Sequence, residues 1–159
     1  MAAHYLTYLE NISFTGRVLG IGTTPPRRTP LALRFEFKRI NLLDARELGS
    51  LIRVAQPRIC VHLAAMSSVA DSWSQPNESF VNNTNIFLNL IEAIKKYSPE
   101  TRVLSIGSSE QYGVKGKPTL PLTELESMEP VSPYAAARCA QEWLGKVYVA
   151  GYGLDVVMT

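Results

Sequence analysis

Cysteine is scarce in this chain: Cys60 and Cys139 are the only two in 159 residues, and their separation matches no metal-binding or redox pair. Both read as small buried hydrophobes, Cys60 on a strand and Cys139 on a helix. Histidine is as rare, with His4 on a helix surface and His62 packed in a strand, so no metal site is expected. Net charge is small as well. A formal +2 lacks the clustered basic residues that nucleic acid or an anionic membrane requires, and Arg27-Arg28 is the one local basic feature of note. No apolar run approaches the roughly 20 residues that span a bilayer. The N-terminus has no basic segment followed by an apolar run and a small-residue cleavage site. A cytoplasmic setting without membrane contact is therefore expected.

What is present suits a folded domain, since 46% of the residues are hydrophobic and 19% charged. Apolar residues switch repeatedly from short strand-like runs to helical spacing and back. Strands are predicted at 17–21, 35–40, 58–63, 102–106 and 154–158, and helices at 44–54, 77–97 and 134–151. Asp44 is the expected N-cap of the first of these helices. Phe80, Ile86, Phe87, Leu90, Ile91 and Ile94 supply the apolar face of the second, and Gly151 ends the third. Two proline-bearing loops, 23–30 and 113–133, interrupt the pattern; the longer carries Pro118, Pro121 and Pro130 and has the character of a substrate cover. Strands alternating with helices of this length predict an α/β fold, a doubly wound parallel sheet, without internal repeats.

Two stretches carry chemistry. Tyr134-Ala-Ala-Ala-Arg138 puts a cation one helical turn after a tyrosine, on the same helix face. A positive charge there favours the phenolate and makes tyrosine usable as a general acid or base, although its unperturbed pKa is about 10. Ser108-Ser109-Glu110-Gln111-Tyr112-Gly113, at the end of a predicted strand, adds a hydroxyl and a carboxylate. Together they can move a proton on a carbinol while a hydride is transferred, with Ser108 holding the reacting oxygen.

Both stretches resemble those of the extended short-chain dehydrogenases, the NAD-dependent epimerase/dehydratase family acting on nucleotide sugars. The likeness is strongest to the GDP-mannose 4,6-dehydratases and their relatives the GDP-4-keto-6-deoxy-mannose reductases. It extends over Ile59-Cys60-Val61-His62-Leu63-Ala64-Ala65-Met66-Ser67-Ser68-Val69, Asp71-Ser72-Trp73 with Pro76, Asn83, Asn89-Leu90-Ile91-Glu92-Ala93 and Ser132-Pro133-Tyr134-Ala135-Ala136, all in the family's order. The resemblance implies a Rossmann-like domain that lacks the family's first strand and glycine-rich turn. Met1 to Glu10 looks like the helix after that turn, and the substrate-binding C-terminal region is absent, so 1–159 reads as a partial NAD(P)-binding domain.

For the site, the resemblance implies catalysis by Ser108, Glu110, Tyr134 and Arg138. It implies contact with NADP or NAD through Asn41, Leu42, Leu63, Ala64, Ala65, Ser67, Asn83, Tyr134 and Arg138. Arg27-Arg28 would suit the 2'-phosphate of NADP. Arg138 departs from the family's lysine, a planar fork in place of a compact ammonium. Ile86 and Phe87 stand where the family has Gly-Thr. The expected activity is a nucleotide-sugar 4,6-dehydratase that oxidises C4 and eliminates water across C5 and C6. A reductase and an epimerase are the alternatives within the class, and a catalytically silent dimerising module is the alternative outside it. Helices 77–97 and 134–151 match those that pair as a helix bundle in the family's dimer, and Trp73, Trp143 and Tyr148 are read as packing or subunit-contact residues.

Overall fold

The computed structural model describes residues 2–28, 30–115 and 121–159. Met1, with which the expected N-terminal helix begins, Thr29 of the shorter expected loop and Pro118 of the longer one lie outside the described residues.

Helix α1 (Ala2–Asn11) leads into strand β1 (Arg17–Gly22), and β2 (Arg34–Arg39) runs parallel beside it, Arg17 opposite Arg34 and Gly22 opposite Arg39. Helix α2 (Ala45–Ala55) then crosses to β3 (Ile59–His62). Asp44 caps α2, accepting from the amides of Arg46 at 3.0 Å and Glu47 at 2.9 Å. A short helix α3 (Val69–Ser74) precedes the long α4 (Pro76–Tyr97), which leads to β4 (Arg102–Ser105). The sequence periodicity gave no signal for α3, which Ser68 caps by accepting from Asp71 N at 3.1 Å. Pro76 occupies the first turn of α4, where its missing N–H costs no hydrogen bond. A single 3-10 turn (Ser109–Tyr112) follows β4, and α5 (Pro133–Tyr152) leads to β5 (Val156–Met158).

All strand pairs are parallel, but they form two sheets, β1-β2 and β3-β4-β5. The strand order of a doubly wound dinucleotide-binding sheet is 3-2-1-4-5-6. Without its member 1 that order reads 3-2 and 4-5-6, which is the pair of sheets observed. Among the described residues nothing bonds to the free edges of β1 and β3.

Most element ends fall within one or two residues of expectation, and one helix end and one core residue differ in kind. Helix α5 runs through Gly151 and stops at Gly153, whose φ of 67° takes the left-handed turn that glycine tolerates. Phe80 is 41% exposed, because Ser79 and Asn83 take the inward positions in the first turns of α4, and Ile86, Phe87, Leu90, Ile91 and Ile94 continue the buried stripe. The main core joins α2, α4 and β4 through Leu48, Ile52, Ile86, Leu90, Ile94 and Val103, with Ile21 of β1 and Cys60 of β3 packed against it. A second cluster, Phe87, Ile91, Tyr148 and Leu154, ties α4 to α5.

Candidate active site

The site is built where β4 ends. Beyond Ser105 the chain passes through Gly107, where an added Cβ would run into the Thr159 carbonyl oxygen, so a glycine is required for β4 to end against the end of β5. Ser108 then starts the 3-10 turn. Its Oγ accepts from Glu110 N at 3.3 Å, and its own N–H donates to Gln111 Oε1 at 2.8 Å. A hydroxyl that accepts from a backbone amide keeps its proton free to donate, so this capping role leaves Ser108 able to bind an oxygen. Glu110 on the same turn is exposed.

Tyr134 enters from α5. Pro133 sets the first helical position, Ser132 Oγ accepts from Ala135 N at 3.1 Å, and the Tyr134 side chain is buried. Two contacts fix the 3-10 turn to this helix: Gln111 Nε2 donates to Glu142 Oε2 at 2.5 Å, and Cys139 Sγ lies 3.8 Å from the Gln111 carbonyl. The elements bearing Ser108, Glu110 and Tyr134 are thus packed on each other. A cavity of about 290 Å³ opens on Ser108, Gln111, Tyr112 and Glu142; neither Glu110 nor Tyr134 lines it. A larger cavity, about 580 Å³, lies between α1 and the start of β2 near Glu10 and Arg34. That is the amino end of the strands, whereas open parallel sheets take ligands at the carboxyl end.

Arg138 is 5% exposed and lies one turn from Tyr134, its guanidinium carbon 5.9 Å from the ring centroid. Its fork is directed at the strand end. It donates to Gln141 Oε1 at 2.7 Å, to the Ile106 carbonyl, and to the Gly107 carbonyl at 3.2 Å. Burial pulls its pKa below the ordinary value, and Tyr134 opposes that pull. Beside it His62 is buried against Phe87, ring centroids 5.3 Å apart, with neither ring nitrogen hydrogen-bonded. Burial, and after it the Arg138 charge, push the imidazole down to about 4, so the ring is neutral.

The other expected contacts lie along the carboxyl ends of β2 and β3. Asn41 is exposed and accepts from Leu43 N at 3.0 Å, while Leu42 is buried in the main core. Leu63, Ala64 and Ala65 are half-buried and Ser67 is exposed. Asn83, fully buried, holds this loop by both ends of its amide: it accepts from Met66 N at 2.8 Å and donates to Met66 O at 3.1 Å. Arg27 and Arg28 are exposed. Sequence reasoning missed three supporting residues. Asn89 on α4 donates to the Leu42 carbonyl at 3.0 Å, and Gln141 and Ser105 are buried partners of each other. For Asn89 and Gln141 the one signal was a polar side chain on an otherwise apolar helix face; for Ser105 it was a hydroxyl at the end of an apolar strand. Among the described residues no group of three His, Cys, Asp or Glu side chains is placed to hold a metal, and no helix is long and apolar enough to cross a membrane.

The family described as GDP-mannose 4,6 dehydratase matches residues 15–159. A dTDP-glucose 4,6-dehydratase of Neisseria meningitidis is 28% identical over 134 residues, covering 79% of this chain and 38% of the relative. GDP-mannose 4,6 dehydratase 2 of Arabidopsis thaliana is 33% identical over 118 residues, 72% of this chain and 31% of the relative. Among solved structures, a UDP-glucose 4-epimerase from Brucella ovis in complex with NAD superposes with a TM-score of 0.84 at 22% identity, over 98% of this chain and 46% of that one. That likeness shows the fold. The chain spans less than two fifths of the length of these curated relatives.

Proposed function

The chain belongs to the GDP-mannose 4,6 dehydratase family, and on that premise we propose that it carries the proton-handling half of an NAD(P)-dependent nucleotide-sugar 4,6-dehydratase. The observation that supports this most is the packing of the Ser108-Glu110 turn onto the helix of Tyr134 through Gln111, Glu142 and Cys139. Two loops at strand ends suit the flanks of a dinucleotide. The turn at Asn41 is open to an adenine, and the small-residue loop 63–67, pinned by Asn83, allows close approach. The pyrophosphate has no glycine-rich turn in this sequence to hold it, so the fit covers those flanks alone.

When bound, the nicotinamide would supply the hydride acceptor for C4 and the hydride donor for C6, and so would end each turnover unchanged. Tyr134 takes the proton of the sugar's C4 hydroxyl, while the Ser108 O–H donates to that oxygen. The C4 ketone acidifies the neighbouring C5–H; Glu110 removes that proton and passes it to the C6 hydroxyl, which leaves as water, and the 4-keto-6-deoxy product forms when C6 regains a hydride and C5 a proton. Arg138 keeps positive charge beside the Tyr134 ring.

The test is turnover of GDP-mannose, with dTDP-glucose and a UDP-hexose in parallel, because dTDP-glucose dehydratases and epimerases are also among the relatives. The expected result is a 4-keto-6-deoxy product from GDP-mannose with no net change in nicotinamide absorbance, lowered at least about a hundredfold in Tyr134→Phe. Net NADPH consumption with a 4-keto sugar would replace this reading with a reductase, and a C4 epimer with an epimerase. A second reading, a silent module, is favoured by the Arg138 fork being occupied by the carbonyls that follow β4. Failure of NADPH to bind in the micromolar range would support it. The exposed side chains Trp143, Val147, Phe80 and Val81 on α4 and α5 suit pairing with a second copy through a helix bundle, which sedimentation of the purified chain tests.

A further inference from the structure

We infer that Gln141, backed by Ser105, is a positioning residue that sets the direction of the Arg138 guanidinium and so fixes the strand end carrying Ser108. The inference deepens the proposed function and rests on it only for the turnover measurement below.

None of the ion pairs among the described residues includes Arg138. A buried guanidinium without a carboxylate is steered by neutral acceptors alone. Two of these are the Ile106 and Gly107 carbonyls, and the one side-chain acceptor is Gln141 Oε1, at 2.7 Å. Gln141 is 1% exposed, and its other end donates from Nε2 to Ser105 Oγ at 2.6 Å. Its orientation is forced, because a guanidinium only donates and must therefore meet the amide oxygen. The hydrogen bonds thus run from Ser105 on β4 to Gln141, on to Arg138, and back to the carbonyls that follow β4. The loop they close spans the base of the site, ending one residue before Ser108.

The fork is gripped by its two terminal nitrogens, and Nε is buried without a partner. That loss is accepted only where the terminal contacts fix the side chain. A lysine carries its three donors on one nitrogen and would have to meet the amide and both carbonyls from a single point, where arginine divides them between two nitrogens. Arginine at 138 and glutamine at 141 therefore work as one unit. The charge stays near the Tyr134 ring while the fork holds the strand end.

The experiment compares Q141L, R138K and the double variant with the unaltered chain, and adds Q141E as a rescue that keeps an acceptor for the guanidinium. Backbone hydrogen exchange over 105–113 is read by mass spectrometry. Q141L should speed exchange there roughly tenfold, the loss of one charge-assisted hydrogen bond. Q141E should restore it, and Q141L should change little once R138K is present. An equal effect of Q141L in both backgrounds, or no rescue by Q141E, would overturn the inference. In turnover, Q141L should lower kcat and leave KM, again only with Arg138 in place. If no variant turns over any nucleotide sugar, the functional reading fails while the exchange data still decide the role of Gln141.

Discussion

The two sheets share parallel pairing and differ in what covers them. In the three-stranded sheet Val103 and Ser105 are fully buried and His62 nearly so, beneath helices α4 and α5 with their clusters around Phe87, Ile91 and Ile94. In the two-stranded sheet no residue of β1 or β2 is buried, and its own cluster is three leucines, Leu6, Leu9 and Leu33, with Val18 and Phe35 against them. Parallel strands are ordinarily buried on both faces. The difference matches the place of the candidate site, since Ser108, Glu110, Tyr134 and Arg138 all lie on elements of the well-packed half. The other half contributes only the Asn41-Leu42 turn, and Asn89 tethers that turn to α4.

The sharpest way to break the comparison is to open the better core. Phe87 is fully buried between α4 and α5, and Phe87→Ala should cost about 4 kcal/mol in chemical denaturation. A cost near that of a surface change would mean that this half is not the stable one. Acid should act on the same half. The imidazole of an unfolded chain titrates near 6.5, whereas burial holds His62 at about 4. Between those values the unfolded chain binds a proton that the folded one refuses. Stability is therefore full above pH 6.5 and falls as pH drops towards 4, by up to about 3 kcal/mol. His62→Leu should flatten that slope; the same slope in variant and unaltered chain would rule out His62 as its source.

Much of this was legible in the sequence, for reasons that individual residues make plain. Period and capping located α2 and its Asp44 cap, because both are local properties of the chain. Alternation of strand and helix gave the parallel pairing. The division into two sheets was not legible in the same way, since it depends on which strands become neighbours in space. Phe80 is hydrophobic and in phase with the α4 stripe, yet Ser79 and Asn83 face inward, because Asn83 is needed at Met66. At the site, spacing placed Arg138 one turn from Tyr134. The direction of its fork was hidden, because it is set by Gln141 and by carbonyls more than thirty residues earlier in the chain.

Smaller effects sharpen the contrast from the other side. Leu9 is 7% exposed in the small cluster beneath β1 and β2, and Leu9→Ala should cost about 2 kcal/mol, the low end for a buried leucine. Exchange should quicken in β1 and β2 and stay unchanged in β3 to β5; uniform quickening would mean that the sheets open as one unit.

The smallest difference compares one carboxylate from each half. Glu36 pairs with Arg17 at 2.7 Å and Lys38 at 2.8 Å on the open face of β1 and β2. Glu92 pairs with Lys95 at 2.6 Å and accepts from the Tyr148 hydroxyl, joining α4 to α5. The Lys38 hydrogen bond, then that of Arg17, holds the Glu36 carboxyl below the usual range, and Lys95, then Tyr148, does so for Glu92. Each contribution is thus present above the ordinary carboxylate pKa and lost as pH falls through the lowered one. Glu36→Gln should cost little, and that little should vanish in about 1 M salt, where exposed charges are screened. Glu92→Gln should cost more and keep its effect in salt, because the Tyr148 hydroxyl it serves is on a buried side chain. Equal losses that salt does not touch would mean that exposed pairs hold β1 to β2 as firmly as the helices hold β3 to β5, and burial would no longer explain why the site lies where it does.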